Sequence, residues 1–250
     1  MNSGIDISIK DKLRLSCNVL KAIACSFMFI DHFGYGVIHR YMITHSMDML
    51  PQEYQAMNTV YEISRGIGRL AFPIFCFFIV EGFVRTRSVK RYIIRLAVLA
   101  LLSEIPFDLG LYGKIFYWKH QNVILTFVIA LLMLLTLKFI TDNRGVMSVP
   151  LLYLSYICTV IAFSDAAYLL KTDYSWKCMV LAAVLYFTRR LGDAKLIAGA
   201  AATCWEKYAS ASFVLLYFYD PDKKPRFRYF FYLFYPLNFL IVYAIAYLVI

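Results

Sequence analysis

The stretch "FMFIDHFGYG", residues 27–36, decides how this chain is to be read. Asp31 and His32 stand side by side in it, directly after "LKAIACSFMFI" (20–30), which is almost wholly apolar. In water such a run is a core helix; in lipid it is most of a membrane span. The composition selects lipid. Hydrophobic residues make up 61% of the 250, aromatic residues 18% and charged residues only 17%, with a mean hydropathy of +0.63. Soluble domains carry about 25% charged and about 45–50% apolar residues. A bilayer tolerates only helices and closed barrels, because every backbone polar group must find an internal partner. The apolar stretches here are continuous and do not alternate as barrel strands do. The fold class is therefore all-α, a polytopic membrane helical bundle. Residues 1–250 read as a single membrane-embedded domain, since there is no internal repeat and the loops are too short to hold a second one.

A spanning helix needs roughly 17–25 apolar residues. Spans fall near 17–41, 66–84, 91–111, 121–140, 147–170 and 176–189, with a last one near 228–250. The segment "AKLIAGAAATCWEKYASASFVLLYFYD" (194–220) fits one long helix or two short ones turning at "WEKY" (205–208). The charges favour two. Short loops rich in Lys and Arg mark the cytoplasmic side, and four such loops occur: "RTRSVKR" (85–91), "KFITDNR" (138–144), "RRLGDAK" (189–195) and "DKKPRFR" (222–228). With a cytoplasmic N-terminus, two short crossings put all four inside and give about nine transmembrane helices. One crossing gives eight and leaves the last basic loop outside. The net charge of +10 is thus a matter of topology, and no nucleic-acid partner is expected. Six scattered cysteines without a C-x-x-C pair read as small core residues. The polar N-terminus "MNSGIDISIKDKLRLS" reads as lacking a removable signal peptide.

Ionisable residues inside a membrane are costly, and by default they mark function. The bland alternatives are a structural ion pair or a side chain reaching back to a helix end. His32 lies about 22 Å into the first span at ~1.5 Å per residue, sharing a face with Cys25, Met28, Gly36 and His39. Asp31 points some 100° away and need not pair with it. In the second span Arg69 enters near the outer edge, Pro73 frees carbonyls, and Glu81 and Arg85 are one turn apart, as in a plain surface pair. In the third span Arg91 and Arg95 share a face at the inner end; Glu104 and Asp108 share one toward the outer end, with Pro106 between them. Gln121 and Asn122 open the fourth span, Asp173 and Tyr174 precede the sixth, and Pro236 and Asn238 lie near mid-depth of the last. An acid–base set (Asp31, His32, Arg69, Glu104, Asp108, Asn122) thus gathers toward the outer half, and a basic set (Arg85, Arg87, Lys90, Arg91, Arg95) at the inner face. A histidine can accept a proton near neutral pH, and Arg and Lys can hold a phosphorylated donor. Haem ligation lacks a second mid-span histidine, since His39, His45 and His120 fall at span ends or in loops. Neither haem nor metal is expected.

Several motifs, in order, resemble the TraX family: "LKAIACSFMFIDHFG" (20–34), "GRLAFPIFCFFIVEGFVRTR" (68–87), "YIIRLAVLALLSEIPFDL" (92–109), "QNVILT" (121–126), "KTDYSW" (171–176) and "FYLFYPLNFLIVY" (231–243). The resemblance covers nearly the whole chain. It implies an integral membrane acetyltransferase of the prokaryotic cytoplasmic membrane, distantly similar to the wider membrane acyltransferases that use acetyl-CoA as cytoplasmic donor. It makes His32 the catalytic candidate with Asp31 as its orienter or partner, and puts Arg69, Glu104 and Asp108 beside them in less defined roles. Glu81, Arg85, Arg87, Lys90, Arg91 and Arg95 become the acetyl-CoA candidates, and Asn122, Asp173, Tyr235 and Asn238 the substrate-side candidates. The acceptor would be a peptide such as a pilin, a small amine or a glycan. The chain departs from the family where a "YPxH" is usual: here "YPLN" puts Asn238 in the histidine's place, an amide that also offers donors and acceptors. Two other functions fit the same residues, a transporter or flippase with a buried charge path and a non-catalytic pilus or conjugation assembly factor.

Overall fold

The structure is a computed structural model that describes residues 13–223 and 228–249, with side chains described for 13–223 and 230–249. The N-terminal residues 1–12 and the centre of the last basic loop, 224–227, lie outside the described residues. All regular elements among them are helices, joined by two isolated backbone bridges, Leu15 with Tyr219 and Gln121 with Thr172.

Helix α1, Cys17–Phe33, starts where Ser16 Oγ accepts the Val19 amide at 3.3 Å. It continues through a π-helical stretch, Gly34–His39, into α2, Arg40–Thr44. Two glycines set the packing of that stretch. A side chain at Gly34 would run into Ser64, and one at Gly36 into the Gly110 carbonyl and Val242. Small residues at such crossings are how membrane helices approach closely.

The next element corrects an expectation. Residues 39–55 read as an outer loop, but Pro51–Gly68 is a helix, α3. Pro51 takes the first helical position, where a missing N–H costs nothing, and the Leu50 amide donates to Glu53 Oε2 at 3.1 Å. Its pattern is too polar to read as a span, and it is largely exposed on one side. Chain direction reverses between α2 and α3, and α3 returns along α1. The rod breaks at Arg69–Leu70 and resumes as α4, Ala71–Arg85. Pro73 sits in the first turn of α4, and its missing N–H leaves the i−4 carbonyl of Arg69, at that break, without its helical donor.

The remaining helices run back and forth: α5, Val89–Tyr112; α6, Val123–Asp142; α7, Val149–Leu169; α8, Ser175–Phe187. Then come α9, Ala194–Ala201, and α10, Ser212–Tyr217, two short helices turning through "WEKY". The last is α11, Arg228–Val249, which packs along α5 and closes on α1. Among the described residues, four stretches are long and apolar enough to cross a membrane: Pro51–Arg85, Val123–Asp142, Val149–Leu169 and Phe230–Val249. The chain is thus an all-helical membrane protein. Helices α1 and α5 carry charges within their length, and α8, α9 and α10 are short, so length and apolarity alone do not recover nine crossings.

One end of the bundle collects the basic loops. Arg85 Nη1 donates to the Pro221 carbonyl at 3.4 Å, Lys195 Nζ pairs with Glu81 at 3.2 Å, and Lys223 Nζ donates to the Arg14 carbonyl at 2.9 Å. At the other end the loop after α5 pairs with the loop after α7: Gln121 N donates to Lys171 O, and Asp173 N to Gln121 O, both at 3.0 Å. The α9–α10 hairpin reaches from the basic end, where Lys195 meets Glu81, to the level of Arg69, where Glu206 meets it. Those partners on the α3–α4 rod are separated by about 18 Å at ~1.5 Å per residue, so the hairpin traverses the same depth as most of α4.

Candidate active site

Between α1, the α3–α4 junction, α5 and the two paired loops lies a cavity of about 160 Å³. His32, Asp31, Arg65, Arg69, His120 and Asp173 all border it, with Tyr35, Tyr112 and Tyr174 among the rings that complete its wall.

His32 is held from one side by α11. Asn238, itself buried, brings its amide onto ring Nδ1, and Phe239 stacks on the imidazole with centroids 4.2 Å apart. Asn238 Oδ1 is buried and has no hydrogen-bond partner among the described residues. The two ends of this amide dictate opposite protonation of the ring. If Nδ2 donates to Nδ1, the neutral ring carries its proton on Nε2. If Oδ1 faces the ring, Nδ1–H donates and Nε2 presents a lone pair.

Asp31 is not the residue that orients His32, which corrects the expectation drawn from the resemblance. Its carboxylate forms an ion pair with Arg65 Nη1 at 2.8 Å. Gly68 makes this possible: a Cβ there would collide with the Asp31 side chain. Arg65 and Arg69 are one turn apart, so α3 delivers both guanidinium groups to one side. Arg69 Nε pairs with Glu206 at 3.1 Å, and Tyr174 lines the same cavity. Glu206 is shared with Lys177 at 3.2 Å, which ties the "WEKY" turn to α8.

The loops contribute a second imidazole. The Gln121–Thr172 bridge puts His120 beside Asp173, with Nε2 3.7 Å from Oδ1, while Nδ1 contacts the Tyr112 hydroxyl at 2.7 Å. The Asp173 carbonyl accepts from Thr126 Oγ1 at 2.6 Å. Three non-glycine residues of this short loop, Lys171, Tyr174 and Ser175, have positive φ. Left-handed backbone costs about 1–3 kcal/mol per residue and clusters at functional sites. Here it turns the Tyr174 ring onto Phe72, 3.8 Å away and nearly parallel.

Other expected site residues fall elsewhere. Asn122 is fully buried and caps α6: its Oδ1 accepts from Ile124 and Leu125 amides at 3.0 and 3.2 Å, while Nδ2 donates to the Ala100 carbonyl at 2.9 Å and to Glu104. All the side-chain groups of Asn122 are engaged, and neither Asn122 nor Glu104 borders the cavity. Asp108 accepts the Tyr117 amide at 2.7 Å and anchors the loop after α5. Tyr235 borders a neighbouring apolar cavity instead. Glu81 is taken by Arg85 at 2.9 Å and by Lys195, the plain ion pair, and a carboxylate there repels phosphate. Arg87, Arg91 and Arg95 border a surface depression at the basic end; Lys90 is exposed beside it. Among the described residues no group of three or more His, Cys, Asp or Glu side chains could hold a metal ion.

The sequence reading passed over Arg65, Tyr112 and His120. Arg65 had a signal in its spacing to Arg69. His120 stands next to "QN" but in a loop, and only the pairing of two distant loops brings it to His32.

An all-helical membrane bundle with an enclosed cavity of imidazoles, guanidinium groups and carboxylates is the class these features define. The chain belongs to the TraX family: the model of the TraX protein matches residues 16–246. It is also 31% identical, over 208 residues covering 71% of this chain and 80% of the relative, to a probable fimbrial assembly protein FimC, serogroup H1, of Dichelobacter nodosus. No solved structure matches.

Proposed function

We propose that this protein is a membrane acetyltransferase that moves an acetyl group from acetyl-CoA to an amine or hydroxyl, with His32 as general base. One observation carries the reading: the His32 imidazole, held by one amide, borders a cavity that Arg65 and Arg69 also line. In the reaction the acceptor nitrogen or oxygen attacks the thioester carbonyl and gives its proton to His32 Nε2. The oxyanion forms toward the guanidinium side. The C–S bond then breaks, and the thiolate leaves with the proton from the imidazolium. This sequence requires Oδ1 of Asn238 to face Nδ1, so that Nε2 is the base.

The basic end of the bundle faces the cytoplasm in this reading, as the positive-inside bias demands, and the membrane is the cytoplasmic membrane of a prokaryote. The N-terminus is then inside, the α9–α10 hairpin contributes two short crossings, and the count is nine. The fimbrial assembly name of the relative favours a pilin-like peptide as acceptor over a small amine or glycan. The same name favours a second reading, a pilus assembly factor that transfers nothing. Detergent-solubilised protein given radiolabelled acetyl-CoA and candidate acceptors tests both. Transfer by the wild type that is lost in His32→Ala supports the enzyme. Equal transfer by His32→Ala removes the base, and no hydrolysis or transfer with any acceptor leaves the assembly factor.

A further inference from the structure

Next to the polar cavity lies a second one of about 120 Å³, and the two share walls: Met28, Phe75, Val123 and Phe127 border both. Among the described residues its lining is apolar and aromatic except for Lys21 at one end, Cys25, and three tyrosines, Tyr92, Tyr232 and Tyr235. On α1, Lys21, Cys25, Met28 and His32 follow at i, i+4, i+7 and i+11. One stripe of the helix therefore forms a side of both cavities. The Lys21 ammonium lies 5.3 and 5.8 Å from the ring centres of Phe78 and Phe231 and has no carboxylate partner among the described residues. Arg95 is within electrostatic reach of Tyr92 at the same end.

The lengths agree with one class of ligand. Lys21 and His32 are separated by about 16 Å along α1 at ~1.5 Å per residue. In coenzyme A, about thirteen bonds join the sulfur to the first phosphate, roughly 16 Å at the ~3.8 Å per three bonds of an extended amide chain. A lipid tail has no use for the slot's hydroxyls or its ammonium. A pantetheine arm has two amides for the hydroxyls and a phosphate for the ammonium.

We propose that this second cavity is the donor slot. The pantetheine arm lies along the Lys21–His32 stripe, its phosphate at Lys21, its middle passing Met28 and Phe75 where the two cavities join, and its thioester at His32. This moves donor recognition from the Arg85–Arg95 loop to the interior of the bundle. It rests on the acetyl-transfer reading above, and the test separates the two.

Cys25 is a native reporter on the slot wall. Its alkylation by a small membrane-permeant maleimide is followed by peptide mass spectrometry in the full-length protein, alongside acetyl transfer. Desulfo-coenzyme A and desulfo-4′-phosphopantetheine, which keep the arm but have no thiol to consume the maleimide, are expected to slow Cys25 labelling several-fold, while adenosine 3′,5′-bisphosphate, which lacks the arm, leaves it unchanged. Leu99→Trp, which fills the slot, is expected to abolish that protection in a protein that still elutes as a folded monodisperse species. Ile79→Trp serves if that variant does not fold. Transfer without any protection of Cys25 overturns the slot and leaves the acetyltransferase standing. Protection without transfer leaves the slot and removes the enzyme. Equal slowing by adenosine 3′,5′-bisphosphate also overturns the slot, as does a Cys25 equally inert with and without every ligand while transfer proceeds.

Discussion

The amide of Asn238, near the middle of the last helix, closes on ring Nδ1 of His32 in the first. Among the described residues no other polar side chain bonds that nitrogen, so the amide alone selects which ring nitrogen is basic. Asn238→Asp keeps an acceptor on Nδ1 and is expected to retain transfer within about tenfold. Asn238→Leu leaves the ring unoriented and is expected to lose about 10²- to 10⁴-fold in kcat, the usual worth of a positioned acid–base group, with little change in KM. Steady-state rates of the two variants check this; an Asn238→Leu enzyme at full speed would refute it.

The ion pair of Asp31 with Arg65 holds α3 to α1. Removing only the arginine leaves a carboxylate buried without its partner, whereas removing both charges does not. Arg65→Ala is expected to lower stability by about 1–3 kcal/mol, and Asp31→Asn combined with Arg65→Ala to recover part of that. A double-mutant cycle on thermal unfolding in detergent measures the coupling, expected at about 0.5–3 kcal/mol. A coupling of zero would mean that the pair contributes nothing to the fold.

Asn122 is a structural residue, and its variants should behave accordingly. Asn122→Ala loses a helix cap and leaves Glu104 and the Ala100 carbonyl without their donor, a loss of about 2 kcal/mol. The prediction is a lowered unfolding temperature with kcat nearly unchanged in the remaining folded protein. A selective loss of kcat at unchanged stability would return Asn122 to the catalytic set.

His120 and Asp173 border the same cavity as His32 but come from loops. His120→Gln is expected to slow transfer by about 10- to 100-fold, equivalent to ~1.4–2.7 kcal/mol on the barrier, and Tyr112→Phe by less. If both variants match the wild type, this second imidazole serves only to fasten the loop.

Topology has its own test. Met47, 96% exposed beyond α2, and Arg144, in the turn between α6 and α7, lie at opposite ends of the bundle. In intact cells a membrane-impermeant maleimide is expected to label Met47→Cys and spare Arg144→Cys, in a background lacking Cys158 and Cys204. The reverse pattern would invert the orientation.

Much of the helix layout was legible because apolar length is written locally. The ranges of α5, α6, α7, α8 and α11 match their expected spans closely, α1 reaches its span only together with the π-helical stretch and α2, and the "WEKY" turn was one of two readings that charge distribution could rank. What was not legible depends on contacts between distant segments. Helix α3 was missed because its exposed face is polar, and its buried face shows only in Ser64 and Gly68, which mean nothing until Gly34 and Asp31 are opposite them. Asp31, His32 and Arg69 of the outer set border one cavity, and Asp173 joins them from a loop. Glu104, Asp108 and Asn122 of the same set lie elsewhere, capping a helix and anchoring a loop, a distinction that lies in their partners. His120 needed the pairing of Gln121 with Thr172, a single bridge that no periodicity announces.

The Asn238–His32 contact joins α1 to α11, the two described helices farthest apart along the chain. Between them every other wall of the cavity must be inserted, including the two loops that meet at Thr172. A nascent or truncated chain therefore holds its imidazole without the amide that sets its tautomer. A chain that stops before α11 lacks the amide that orients the ring, so α11 is the latch that closes on an otherwise assembled set of helices.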